Sequence, residues 1–161
     1  MMTNRLHSLS VSTPSDLEIR LERDFDAPRD LVFTAFSTAE HMQHWWGQAG
    51  STLVVCDMDF RPGGAWRFVE RDKNGNEWGF RGQVHEIAPP ERIVQTFEFD
   101  GMPGHISTET MVLQDLHPGT RLTVTSVFAS KEDRDGMLQS GMETGAAESY
   151  DRLEDYLKTL A

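Results

Sequence analysis

A single cysteine, Cys56, among 161 residues excludes a disulfide within the chain. Basic residues are also scarce: 15 Lys and Arg against 26 Asp and Glu leave a formal charge of 15 − 26 = −11. A chain this acidic repels phosphate backbones and anionic lipid headgroups, which argues against nucleic acid as a partner. No apolar run approaches the ~20 residues needed to cross a bilayer. The opening stretch "MMTNRLHSLSVSTPS" has neither a signal-peptide core nor a cleavage site. There is no Gly-rich phosphate loop of the Walker or dinucleotide type and no Gly-x-Ser-x-Gly elbow. The expectation is a cytoplasmic protein with no membrane insertion.

The chain is long enough for one self-sufficient domain. Residues 1–14 are polar and unpatterned and read as a flexible tail, leaving residues 15–161 as the domain. "LEIRLERDF" alternates as a half-buried strand, with Leu17, Ile19, Leu21 and Phe25 on one side. After Asp26-Ala27-Pro28 the period becomes helical: "RDLVFTAFS", then a second short helix "AEHMQHWW" ended by Gly47. From Thr52 to Phe128 six strands follow, separated by the turn stretches "RPGG", "DKNGN", "APPE", "DGMPGH" and "HPGT". With the first strand that makes about seven. From Leu138 onward, Met142, Ala146, Ser149, Leu153, Leu157 and Leu160 step by three or four, the stripe of one long C-terminal helix. This order predicts a single α+β domain with an antiparallel sheet wrapped around the terminal helix.

Alternation assigns faces. Trp66, Phe68 and Glu70 point inward, opposite Arg67 and Arg71. Trp78, Phe80, Gly82 and Val84 follow, then Ile93, Gln95, Phe97 and Phe99, then Glu109, Met111 and Leu113. Leu122, Val124, Ser126 and Phe128 complete the inner face, and Cys56, Met58 and Phe60 join it from the second strand. Most of these side chains are core material. Glu70, Gln95, Glu109 and Ser126 are the exceptions, because a polar group on an apolar face must be paired, hydrated or protonated. Gly136, Gly141 and Gly145 fall within the expected long helix, where each costs roughly 1 kcal/mol relative to alanine.

The segments "APRDLVFTAFSTAEHMQHWWG", "DFRPGGAWRF", "GNEWGFRGQVHEIAPPERIVQTFEF", "GTRLTVT" and "GMETGAAESYDRLEDYL" together resemble the START-like helix-grip superfamily. Within it they look most like the family named after the activator of the heat-shock protein 90 ATPase. The resemblance runs from about residue 15 to the end of the chain. It implies a strongly curved sheet gripping the C-terminal helix, with a deep, largely apolar cavity between them. It says little about function, since such proteins include binders, cyclase-like enzymes and co-chaperone domains. Many relatives carry Gly-Trp where this chain has Gly145-Ala146, so the resemblance implies a roomier cavity here. Relatives also commonly follow Trp-Trp-Gly with proline, where this chain has Gln48. The residues expected around the cavity are Trp45, Trp66, Phe68, Glu70, Trp78, Phe80, Gln95, Phe97, Glu109, Met111, Ser126, Met142, Gly145 and Ala146. Of the adjacent tryptophans, Trp46 is expected to anchor the core and Trp45 to lie nearer the opening.

His41 and His44 are three residues apart but lack the clustered third and fourth ligands of a zinc site, so neither a metal nor another cofactor is expected. Cys56 reads as a buried, inert thiol. The leading expectation is a binding protein, monomeric or homodimeric, holding a small hydrophobic molecule. One alternative is a cyclase- or lyase-type enzyme acting on an aromatic or polyketide-like substrate, with Glu70 or Glu109 paired to a histidine such as His41 as acid–base groups. A co-chaperone role is less favoured, because co-chaperone relatives usually carry an additional N-terminal domain.

Overall fold

The computed structural model describes residues 8–161. Eight strands form one antiparallel sheet: β1 (Ser10–Ser12), β2 (Glu18–Phe25), β3 (Thr52–Met58), β4 (Ala65–Arg71), β5 (Glu77–Ala88), β6 (Arg92–Phe99), β7 (Ile106–Asp115) and β8 (Thr120–Val127). Their spatial order is β1-β2-β8-β7-β6-β5-β4-β3. β3 to β8 form a meander, and β2 joins its far end by pairing along its whole length with β8, Glu18 opposite Val127 and Phe25 opposite Thr120. The helices are α1 (Arg29–Phe36), α2 (Ala39–Met42), α3 (Lys131–Leu138) and α4 (Met142–Leu160).

Two expectations are corrected. The strand count is eight, because Ser10–Ser12, placed by sequence in the loose tail, pair with Arg20–Glu22 as an edge strand. Residues 1–7 of that tail lie outside the described residues. The C-terminal helix is not continuous. Ser130 caps α3 by accepting the Asp133 N–H at 3.1 Å, and α3 ends at Leu138. Gly141 then takes φ +84°, the left-handed region, and α4 begins. The glycine that looked like a costly helix interior is the joint between two helices.

α4 lies across the concave face of the sheet. Leu153 and Leu157 are fully buried, together with Val32 and Ala35 of α1 and Phe25, Leu122 and Ile19 of the sheet. Arg23 shares the inner side of β2 with these apolar residues. Its guanidinium reaches Asp151 at 2.8 Å and Glu154 at 3.5 Å and stacks on the Phe25 ring, so the buried cation is paired from the helix above it. The inward assignments on β4 hold residue by residue: Trp66, Phe68 and Glu70 are buried, while Arg67 is half-buried and Arg71 exposed. A bulge falls between Val84 and Glu86, beyond the inward run Phe80-Gly82-Val84, and leaves that phase intact.

Candidate functional site

Between the concave face and α3–α4 lies a cavity of about 720 Å³, within the range of small-molecule sites. All fourteen residues singled out from the sequence stand on its wall. Trp66, Phe68, Phe80 and Phe97 join Trp46 and Phe99 in a chain of edge-on and tilted rings, with successive centroids 5.0–5.5 Å apart. Such offsets are the favoured arrangement for aromatic pairs. The Trp66 indole lies over Gly82, where a Cβ would collide with it and with the Thr96 carbonyl. Its buried N–H has no hydrogen-bond partner among the described residues. Trp78 lines the cavity from the rim; it is 40% exposed, as Met102 is at 50%, and these two mark the mouth.

The polar members fall into two separate sets. Gln95, Glu109 and Ser126 are directly opposite one another on β6, β7 and β8 and form one continuous row across the sheet. Gln95 Nε2 donates to Glu109 Oε1 at 3.3 Å. The rows on either side are Ile93-Met111-Val124 and Phe97-Ser107. Burial pushes the Glu109 carboxyl up to about 7, opposed by the Gln95 hydrogen bond. Glu109 is half-buried and lines the cavity. Tyr150 of α4 also faces the cavity, and its phenol is driven well above its ordinary pKa by burial and then by the negative charge of Glu109.

Glu70 belongs to the other set. It is buried, and its Oε1 accepts the Gln48 N–H at 2.6 Å. Arg152 lies alongside and donates to the carbonyl oxygens of Gly47 and Gln48 at 3.2 and 3.0 Å. Burial lowers the Arg152 pKa, and the Glu70 charge opposes that fall. The Gly47 N–H donates to Ser149 Oγ at 3.1 Å. Glu70 therefore fastens the loop after the tryptophans to β4, while Arg152 and Ser149 tie it to α4.

The two tryptophans are exchanged relative to expectation. Trp45 is the anchor, 1% exposed, with its indole N–H donating to the Ala35 carbonyl at 3.0 Å. Trp46 is half-buried and packs on Phe68 and Phe80 in the cavity wall. The reason is local: α2 stops at Met42 and the chain continues as turn, so helical spacing no longer sets the two directions. His41 does not sit where the acid–base alternative needs it. His41 Nδ1 is 2.6 Å from the Tyr156 hydroxyl, and His44 stacks on the same ring at 4.8 Å. Neither lines the cavity, so His41 does not pair with Glu70 or Glu109. Cys56 directs its Sγ at the Ala39 carbonyl, and burial with the Asp57 charge pushes the thiol up to about 11.

Sequence reading missed several cavity residues. Ser107 precedes Glu109 by two and would have followed from alternation had β7 been started earlier. Tyr150 lies four residues beyond Ala146 on the helical stripe. His105, whose Nδ1 is 2.7 Å from Asp133 Oδ1 at the mouth, carried no signal, because loop and helix meet there only in the fold.

A curved antiparallel sheet closed over a C-terminal helix is the helix-grip architecture. Residues 26–158 match the family described as "Activator of Hsp90 ATPase homolog 1-like protein", and the chain belongs to that family. Solved structures share the fold. A protein from Rhodobacter sphaeroides superposes with a TM-score of 0.86 at 24% identity, covering 94% of this chain and 99% of its own. One from Nitrosomonas europaea gives 0.81 at 23% identity, with coverages of 92% and 98%. One from Chromobacterium violaceum gives 0.78 at 26% identity, with coverages of 89% and 99%. No curated protein matches the chain.

Proposed function

We propose that this protein binds a small, largely apolar molecule in the cavity between the sheet and α4, with a polar group of the ligand set against the Gln95-Glu109-Ser126 row. The observation that carries this reading is the size of the space together with its helix wall. The cavity of about 720 Å³ extends to Gly145 and Ala146, and a Cβ built on Gly145 meets nothing within 4 Å. A side chain added at Gly145 would therefore stand in open space. A void of this size lined by rings forfeits packing contacts unless something occupies it.

A thermal-shift screen against hydrophobic metabolites tests the reading, using the native chain beside Ala146→Trp. A compound binding the folded state at a hundred times its Kd stabilises by about 2.7 kcal/mol. The expected hit raises the melting temperature of the native chain and leaves Ala146→Trp unmoved. Equal shifts in both would place the site elsewhere, and an empty screen would count against a carrier.

Glu109 favours a second reading, an enzyme of cyclase or lyase type. A carboxyl titrating near neutrality inside a cavity, with a tyrosine hydroxyl facing the same space, is equipped for general acid–base work. Glu109→Gln would then retain binding and lose turnover. The cavity geometry offers no support for a role on a chaperone ATPase.

A further inference from the structure

The charged lining of the cavity is of one sign. Asp59, Asp72, Glu132, Asp133 and Glu148 stand on its wall with Glu70 and Glu109, whereas none of the described residues lining it is Lys or Arg. We infer that the ligand is an organic cation, an amine or quaternary ammonium group on an apolar body, with Glu109 as its counter-charge and the aromatic wall as its seat. This rests on the proposed binding function and narrows it to a ligand class.

Most of the other carboxylates differ from Glu109 in having hydrogen-bond partners. Glu70 takes the Gln48 N–H with Arg152 beside it. Asp133 is paired with His105. Asp72 accepts from Trp78 Nε1, Asn74 N and Asn76 N, and Glu148 accepts the Ala49 N–H. Among the described residues Glu109 has only the neutral amide of Gln95. The groups facing it from the neighbouring elements are Gln95 on β6, Ser126 on β8 and the Tyr150 phenol on α4, none of them a cation. A half-buried carboxylate on an apolar wall, left this way, is costly until a positive charge or a proton reaches it.

The walls suit a cation as well as the floor does. An ammonium group is attracted to the faces of tryptophan and phenylalanine rings, and aromatic enclosures are the usual receptors for quaternary ammonium ligands. Trp46, Trp66, Phe80 and Phe97 supply such faces. At the mouth, Asp72 and Glu132 add a negative field, and the −11 formal charge of the chain extends it, drawing cations in and turning carboxylates away. A fatty acid of the same length would bring a second negative charge against Glu109.

Decylamine, decanol and decanoate share a chain and differ in head-group charge. Binding of each at pH 8, below micellar concentrations, is measured by calorimetry and tryptophan fluorescence for the native chain and for Glu109→Gln. The amine should bind roughly tenfold or more tighter than the alcohol, in keeping with an ion pair plus cation–π contact, and decanoate should bind weakest. In Glu109→Gln the advantage of the amine over the alcohol should largely vanish while the alcohol still binds. If decanoate equals or exceeds the amine, or if amine and alcohol bind alike, the cation assignment fails and the apolar-binding function stands. If none of the three binds, both fail. If the amine keeps its full advantage in Glu109→Gln, the counter-charge lies elsewhere and the assignment to Glu109 is wrong.

Discussion

Glu70 Oε1 accepts the backbone N–H of Gln48 at 2.6 Å, from the opposite side of the loop that Arg152 grips through the Gly47 and Gln48 carbonyls. A carboxylate and a guanidinium thus hold one peptide turn between sheet and helix, and Trp46 enters the cavity wall from that turn. Removing the carboxylate leaves a buried donor unmatched and Arg152 without its counter-charge. Glu70→Ala should therefore cost about 3 kcal/mol. For a chain of this length that is a fall of roughly 6–12 °C in Tm. A fall of less than about 2 °C would show that the turn is held without Glu70. Gly47→Ala should act through the same contact. Its φ is +116°, and an added Cβ would lie 2.7 Å from both Glu70 Oε1 and Ser51 Oγ.

Glu109 makes stability depend on pH with an unusual sign. Its folded pKa, pushed up to about 7 by burial, exceeds the unfolded value near 4.3. Between the two the folded state binds the extra proton, so stability falls as pH rises through this window and levels off above about 7. The loss is at most about 4 kcal/mol. Glu109→Gln cannot ionise there. Urea unfolding from pH 5 to pH 8 should show the variant gaining on the native chain as pH rises and exceeding it at pH 8. A constant difference across the range would mean that the carboxyl titrates normally.

The three glycines at the helix joint should respond in opposite directions. Gly136, Gly141 and Gly145 each have open space where a Cβ would go. Gly136 and Gly145 have helical backbones, so alanine there should stabilise by roughly 0.5–1 kcal/mol. Gly141 has φ +84°, and Gly141→Ala should destabilise by about 1 kcal/mol or more. Melting curves of the three single variants suffice. A stabilising Gly141→Ala would mean that α3 and α4 can run as one helix.

Much of the cavity could be read before folding because β4 and β6 alternate without interruption: Trp66 and Phe68, or Phe97 and Phe99, leave one possible inner face. Glu109 was found the same way, carried inward by Met111. What alternation cannot give is the alignment of neighbouring strands, so the row joining Gln95, Glu109 and Ser126 became visible only once the register was known. At Ser10–Ser12 the alternation of Leu9 and Val11, which pack against the core, is too short to mark a strand by itself, and backbone pairing to β2 completes it. Gly141 was visible as a glycine, but periodicity does not separate a helix interior from a left-handed joint when Leu138 and Met142 keep the stripe going across it.

Trp45 and Trp46 provide a direct check on the exchange of their roles. Trp45 is fully buried, packs against Phe36 at 4.9 Å and donates to the Ala35 carbonyl. Trp45→Phe removes that donor and leaves a gap beside Phe36, and should cost about 2–3 kcal/mol. Trp46 faces the cavity, where a smaller ring meets open volume, so Trp46→Phe should cost about 1 kcal/mol or less. The two should also separate by fluorescence. A ligand in the cavity should change the emission of Trp45→Phe more than that of Trp46→Phe, with Trp66 and Trp78 reporting in both. Urea titrations ranking Trp46→Phe as the more damaging change would return the anchor to Trp46 and put Trp45 at the opening.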